Sequence, residues 1–341
     1  KMNVLITGGA GFIGSQLGNK FRRSGHNVTL LDNMSYGKED NLKVNGEWVY
    51  DTFILDDIRS ERMAIHCENM DIVIHLAGIA PLPDCQLNPL AAYDNNILGT
   101  LNVLEACRKT NVKKIIFSST SAVYENCSSY PLEEKKIEIP PDLIYSMSKR
   151  NCELACLSYA NNYNMDIVTL RFFNVYGPHQ DFKRKQPPLM GYITKCLLED
   201  HEPTFYSDGH QKRDYVYVDD IIEMVDLILS RSDISGQIFN VCTSEAYSVR
   251  EIYEIYQKAF NKNLSPKFND STKFWDKYPQ LFEGQHPLSK DRLIKEVDKY
   301  SLGSYDKAKS ILGWTPSTTL EVGISKCVEY AKQTKEGQND S

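Results

Sequence analysis

Short runs of branched apolar residues alternate with stretches in which apolar side chains return every three or four positions, and this rhythm governs the first half of the chain. Met2 to Thr7 is one such run, too short for a helix, and it predicts a buried parallel strand. Gly8-Gly9-Ala10-Gly11-Phe12-Ile13-Gly14 follows it, and helical spacing then appears at Ile13, Leu17 and Phe21. Further strands are predicted at His26 to Leu31, Trp48 to Ile54, Asp71 to Gly78, Lys114 to Ser118 and Asp166 to Phe172, with helices from Leu90 to Lys109 and from Tyr145 to Tyr163. Strand and helix alternating through Arg171 predict an α/β fold with a doubly wound parallel sheet of the Rossmann type.

From Tyr176 the rhythm loosens, and Pro178, Pro187, Pro188 and the run Lys183-Arg184-Lys185 enter. The change predicts a smaller C-terminal α/β domain that covers substrate over the carboxyl ends of the strands. The expected division is 1–175 for the cofactor domain and mainly 176–332 for the substrate domain, with 333–341 a frayed polar tail. A helix from Asp219 to Ser230 and a strand from Ile238 to Val241 predict that about 214–243 returns to the first domain. No internal repeat is visible.

Composition narrows the chemistry. With 341 residues, 39 Lys plus Arg against 45 Asp plus Glu and a net charge of −6, the chain carries no electrostatic footprint for nucleic acid. No apolar run reaches the length of a membrane span, and no signal peptide is expected ahead of the first strand. Nine cysteines, scattered and without Cys-x-x-Cys spacing, read as thiols of a reducing compartment, which predicts a cytoplasmic protein without a metal site.

A glycine-rich turn between a strand and a helix predicts a phosphate-binding loop. Gly8 permits the tight turn, Gly11 lets the backbone approach a pyrophosphate, and Gly14 lets the helix lie against the strand. The second strand ends at Asp32, where a carboxylate suits ribose hydroxyls and repels a 2′-phosphate, so NAD is expected over NADP. Asn33 to Leu42, with Gly37, is a polar loop suited to the adenosine end, and Leu76, Ala77 and Gly78 again allow close backbone approach. The acid ahead of Ile58 suits either the adenine amino group or a helix cap. His75, inside an apolar run, reads as a hydrogen-bonded core residue.

Tyr145 and Lys149 are four apart and share one helix face. An ammonium beside a phenol is expected to pull its pKa toward neutrality and make Tyr145 a proton carrier. The same spacing also occurs on ordinary solvated helices. Here it follows a dinucleotide signature and the hydroxyl cluster Ser118-Ser119-Thr120-Ser121, from which Thr120 can share the substrate oxygen that Tyr145 deprotonates. Proton removal coupled to hydride transfer to a nicotinamide yields a ketone.

These residues, with Asp57-Ile58, Asn96-x-x-Gly99-Thr100, Arg171 to Pro178, Asp208 to Asp220 and Leu312-Gly313-Trp314-x-Pro316, resemble the extended short-chain dehydrogenase/reductases, and among them the nucleotide-sugar epimerases and dehydratases. The resemblance implies that the amides of Phe12 and Ile13 hold the NAD pyrophosphate, that Asp57 and Ile58 meet the adenine region, and that Asn96 and Ser118 belong to the cofactor site. It further implies that Tyr145 and Lys149 bind the nicotinamide ribose as well as acting in the chemistry. Asn174 would meet the sugar or its diphosphate, Arg213 would clamp the diphosphate and Arg292 would be a second clamp.

The related 4,6-dehydratases follow the catalytic hydroxyl with Asp-Glu, whereas this chain has Ser121 and Ala122. The resemblance therefore implies a 4-epimerase closest to those of UDP-sugars, with a dehydratase next and a 4-dehydrogenase third. An NAD-responsive regulator is the non-enzymatic alternative, and the intact Thr120, Tyr145 and Lys149 weigh against it. Departures from the family pattern are Glu125 in place of a Gly and a longer, more charged segment from Phe282 to Tyr300. A homodimer is implied, joined through the helices Leu90 to Lys109 and Tyr145 to Tyr163, with Leu101, Leu104 and Leu157 on their outward faces. Ser301 aligns with a position gating the sugar pocket, where a small residue admits an N-acetyl group; alternatively a one-residue slip puts the bulky Tyr300 there and excludes it, or Ser301 caps the next turn.

Overall fold

A computed structural model describes residues 1–135, 137–183 and 187–339; Arg184 and Lys185 of the predicted charge run lie outside them. Ten strands matter here: β1 (Asn3–Thr7), β2 (Asn27–Asp32), β3 (Thr52–Leu55), β4 (Ile72–His75), β5 (Lys114–Thr120), β6 (Ile167–Phe172), β7 (Asn174–Tyr176), β8 (Lys212–Tyr217), β9 (Ile238–Val241) and β10 (Ala246–Ser248). Seven of them form one parallel sheet in the order β9-β6-β5-β4-β1-β2-β3. The order reverses beside β1, so a crevice opens between the carboxyl ends of β1 and β4, where ligands of open sheets bind.

Alternation along the strands produces a core on each face. Val4 and Ile6 pack with Leu17, Phe21, Ile221 and Met224 on one side. Leu5 and Val73 pack with Val103, Leu104, Cys152 and Cys156 on the other. β9 joins the sheet beside β6, and the helix Val218–Leu229 packs into the first of these cores. The Trp314 indole donates to the Asp220 carbonyl at 2.9 Å, which draws the C-terminal segment back onto the same helix.

The second unit is built on the small mixed sheet β10-β8-β7, covered by the helices Leu189–Leu198, Val249–Phe260 and Leu320–Asn339. A separate small core of Trp275, Leu281 and Leu293 belongs to the long segment that follows.

Three expectations are corrected and one is refined. Trp48 to Ile54 is not one strand: Asn45 and Gly46, both at positive φ, turn Lys43–Val44 back on Glu47–Trp48, and the sheet strand begins at Thr52. The helix Leu90 to Lys109 is present and runs from Pro89 to Lys109, with a π-helical turn at Asp94–Leu98 inside it. Leu104 does not face outward but is 1% exposed in the core, whereas Leu90, Leu98, Leu154 and Leu157 are exposed. The helix Leu320–Asn339 continues through 333–339, where the polar composition predicts a frayed tail.

Candidate active site

The glycine turn is a cradle with no room for side chains. Gly8 has φ +68°, and a Cβ there would stand 2.8 Å from the Ala77 nitrogen. A Cβ on Gly14 would stand 2.5 Å from the Gly8 carbonyl, so helix and turn meet through bare backbone. The first intrahelical bond runs from the Ser15 amide to the Gly11 carbonyl at 3.1 Å, and the amides of Phe12 and Ile13 precede it. They are the donors that a helix start offers to an anion.

Asp32 ends β2 and is 8% exposed. Its two oxygens accept the Ala10 amide at 3.0 Å and the Met34 amide at 2.8 Å, so it shapes the turn as well as facing the pocket. A Cβ on Gly37 would lie 2.9 Å from Asp32 Oδ1, which is why only glycine lets that loop close. Gly8, Gly11, Asp32, Asn33, Gly37 and Ile58 line one side of this pocket, and Leu76, Ala77 and Gly78 line the other. The cramped glycines, the helix amides and the carboxylate at the strand end fit a dinucleotide.

Asp57 stands apart from that wall. Arg59 grips its carboxylate at 2.9 and 2.8 Å and Asn33 donates to it at 3.0 Å, which leaves Asp56 and Ile58 lining the pocket. The sequence offers two adjacent acids, and in the fold Asp56 is the one that lines the pocket.

Asn96 sits inside the π-helical turn. It accepts the Ile79 amide at 2.8 Å and donates to the Ile79 carbonyl and to Ser148 Oγ, both at 3.0 Å. The wider turn places this amide between the loop after β4 and the helix Ile144–Tyr163, as such bulges do at functional sites. Asn96 thus braces Ile79, which lines the pocket.

The catalytic candidates converge at the end of β5. Lys149 Nζ donates to the Ser118 carbonyl at 3.0 Å, so Ser118 contributes its backbone oxygen. Thr120 hydrogen-bonds the Tyr145 phenol, while its Oγ1 accepts the Ala122 amide at 3.1 Å. The expectation of a phenol near neutrality is corrected: burial pushes Tyr145 up to about 12, and the Thr120 bond offsets only part of that rise. Lys149 is itself pushed down by burial. Its ammonium is committed to the Ser118 carbonyl, not to the phenol.

Behind this group lies a buried charge network. Arg171, 1% exposed, holds Glu153 through bonds of 2.8 and 2.9 Å, and Ser119 Oγ donates to Glu153 at 2.5 Å. The network fastens β5, β6 and the Tyr145 helix together, so Thr120 and Tyr145 rest on one rigid frame. At the other end of the site the helix Leu82–Leu87 links three parts. Asp84 accepts from the Tyr36 hydroxyl at 2.5 Å, Gln86 accepts the Ile144 amide at 2.8 Å, and Leu82 reaches a cavity in the second unit.

That cavity, about 470 Å³, includes Tyr206, Gln211, Arg213, Phe274, Trp275 and Lys277 in its walls. Arg213 is braced by the carbonyls of Glu296 and Val297 at 2.8 and 3.2 Å. Asn174, on β7, donates to the Asp214 carbonyl at 3.0 Å and so braces β8 next to Arg213. Arg292 is not part of this wall. Asp142 and Glu296 take its guanidinium at 2.8 Å each, with Glu125 at 3.3 Å.

Ser301 is 3% exposed, and its hydroxyl has no hydrogen-bond partner among the described residues. It does not cap the next turn, because Ser304 accepts the Asp306 amide at 3.2 Å instead.

Glu125 was invisible as a site residue. It accepts the amides of Asp142 and Leu143 at 2.6 and 2.9 Å and the Ser146 hydroxyl at 2.7 Å, a carboxylate seated at the start of the helix that carries Tyr145. The only sequence signal was an acid directly after Tyr124.

A dinucleotide cradle beside a Thr-Tyr-Lys group and a guanidinium-lined cavity defines a class. Residues 4–242 match the NAD dependent epimerase/dehydratase family, and the chain belongs to it. It is 32% identical to the UDP-glucose 4-epimerase of Thermotoga maritima solved with UDP-glucose, with a TM-score of 0.83 over 98% of this chain and 100% of that one. The UDP-N-acetylglucosamine 4-epimerase of Methanobrevibacter ruminantium, in complex with UDP-N-acetylmuramic acid, is 29% identical, with a TM-score of 0.84 over 98% and 99%. The UDP-glucuronic acid 4-epimerase of Bacillus cereus, in complex with UDP-glucuronic acid and NAD, is 28% identical, with a TM-score of 0.79 over 98% and 100%. The protein is thus an NAD-dependent enzyme of the epimerase/dehydratase type. No helix among the described residues is long and apolar enough to cross a membrane.

Proposed function

We propose that the enzyme is a UDP-sugar 4-epimerase. The observation that carries this reading is the group Thr120, Tyr145 and Lys149 at the end of β5, with Ser121 and Ala122 in the turn that follows Thr120. Neither side chain can act as the acid or base of a water elimination, whereas removal and return of a hydride at C4 needs neither.

The glycine turn, Phe12, Ile13, Asp32 and Gly37 would hold NAD, and Asp32 would disfavour the 2′-phosphate of NADP. NAD, when bound, would supply the hydride acceptor and a positive charge that favours the phenolate. Tyr145 takes the proton of the sugar's 4-hydroxyl, and Thr120 holds the same oxygen. Lys149, steadied by the Ser118 carbonyl at the end of β5, would hold the nicotinamide ribose. Arg213, assisted by the β7–β8 frame that Asn174 braces, clamps the diphosphate while the ketone presents its other face. Arg292 acts at a distance, through its carboxylates. Ser301, small and with an unpartnered hydroxyl, borders the sugar and leaves room for an N-acetyl group. The free thiols support a cytoplasmic setting.

The test is product analysis by NMR with UDP-glucose, UDP-N-acetylglucosamine and UDP-glucuronate. A C4 epimer is expected, and a 4-keto-6-deoxy product would refute the reading. Tyr145→Phe should lose roughly 100-fold or more in turnover while keeping NAD. Ser301→Tyr should lose the N-acetylated substrate selectively, and an unchanged preference would remove Ser301 from the pocket.

A further inference from the structure

The 3₁₀ turn that follows the helix Val249–Phe260 contributes an unexplained donor to the substrate cavity. Trp275 lies in the 3₁₀ turn Ser271–Lys277 and is 4% exposed. Its indole N–H is buried with no acceptor among the described residues, although Trp275 lines the cavity that also contains Arg213. A buried donor left unpaired is costly, so a native protein that keeps one at a cavity wall points to an acceptor that arrives with the ligand.

The surroundings indicate which part of a ligand that is. Phe274 stands edge-on to the indole at 5.0 Å and 88°, and Tyr206 packs on Phe274 at 5.7 Å, giving the cavity flat apolar walls. Lys277 Nζ lies 5.2 Å from the ring centroids of both Tyr206 and Phe274, so that wall is cationic as well as aromatic. Flat walls suit a heterocyclic base, and the cations suit the diphosphate attached to it. Trp275, Leu281 and Leu293 form a core of their own with Leu82, which keeps the indole fixed against the helix that reaches the catalytic group.

We propose that Trp275 is a specificity-determining residue whose indole N–H donates to a carbonyl oxygen of the pyrimidine base of the bound nucleotide. The proposal rests on the nucleotide-sugar reading above and deepens it. The segment from Ser271 onward then serves as a reader of the base, rigid through its own core and aimed by Leu82. A base without a carbonyl leaves the donor unpaired in the complex and binds more weakly for that reason.

Isothermal titration with UDP and ADP, on the NAD-loaded wild type and on Trp275→Phe, tests this. Phenylalanine keeps an aromatic wall and removes the N–H. The wild type should prefer UDP, and Trp275→Phe should bind UDP about three- to ten-fold more weakly with its affinity for ADP nearly unchanged, so that the preference shrinks. Equal weakening toward both nucleotides, or none toward UDP, overturns the proposal and leaves the nucleotide-sugar reading standing. A wild type that binds neither UDP nor any UDP-sugar overturns both.

Discussion

His75 shows how a residue with no part in the chemistry shapes the pocket. Thr7 Oγ1 accepts the amides of Leu76 and Ala77 at 3.1 and 3.2 Å, so its own hydrogen goes to His75 Nδ1 at 2.6 Å. The remaining ring N–H at Nε2 then donates to Thr100 Oγ1 at 2.9 Å, and the imidazole is neutral. Burial first, and repulsion from Lys149 second, lower its pKa to about 3. The unfolded chain takes up a proton below about pH 6.5 that the folded chain refuses until about pH 3. The stabilisation is therefore complete above about pH 7 and declines as pH falls through 6.5, by about 2 kcal/mol at pH 5. NMR titration of the folded protein should show the His75 ring neutral at pH 5, and a midpoint near 6.5 would contradict this account.

At the scale of elements, the start of the helix Ile144–Tyr163 decides where Tyr145 points. Glu125 receives two backbone amides and the Ser146 hydroxyl there, and Arg292 from the helix Lys290–Val297 closes over it. Glu125→Gln removes the charge and places an NH2 group among donors. It should lower the unfolding free energy by about 1–3 kcal/mol and slow turnover without loss of NAD. Denaturant unfolding that shows no change would contradict the role. None of this was legible in the sequence, because Glu125, Ser146 and Arg292 meet only in the folded chain. The strands β1, β4, β5 and β6 were legible, since a strand buried on both faces must be apolar throughout. The glycine turn and the Tyr145 and Lys149 pair were legible because each is local. Leu104 was misjudged because apolar residues occur on more than one side of its helix, and periodicity does not say which side meets the sheet. The π-helical turn escaped notice because its side-chain pattern differs from an α-helix by one residue.

For the molecule as a whole, the exposed leucines mark a proposed two-fold contact. Leu98 is 57% exposed, Leu154 48% and Leu157 40%, on neighbouring helices of the cofactor unit. Two-fold dimers are the commonest soluble assembly, and burying such side chains contributes about 1.5–3 kcal/mol each. Light scattering at micromolar concentration should show a dimer, and the double variant Leu154→Asp with Leu157→Asp a monomer. A monomeric wild type would contradict the dimer.

In the proposed mechanism this one site removes a hydride from the sugar and returns the same hydride to the opposite face. It is tested most directly with a UDP-sugar deuterated at C4, incubated with the NAD-loaded enzyme and followed by NMR. The expected product is the C4 epimer with its deuterium retained at C4. Deuterium washed out to solvent, or a dehydrated product in place of the epimer, would contradict it.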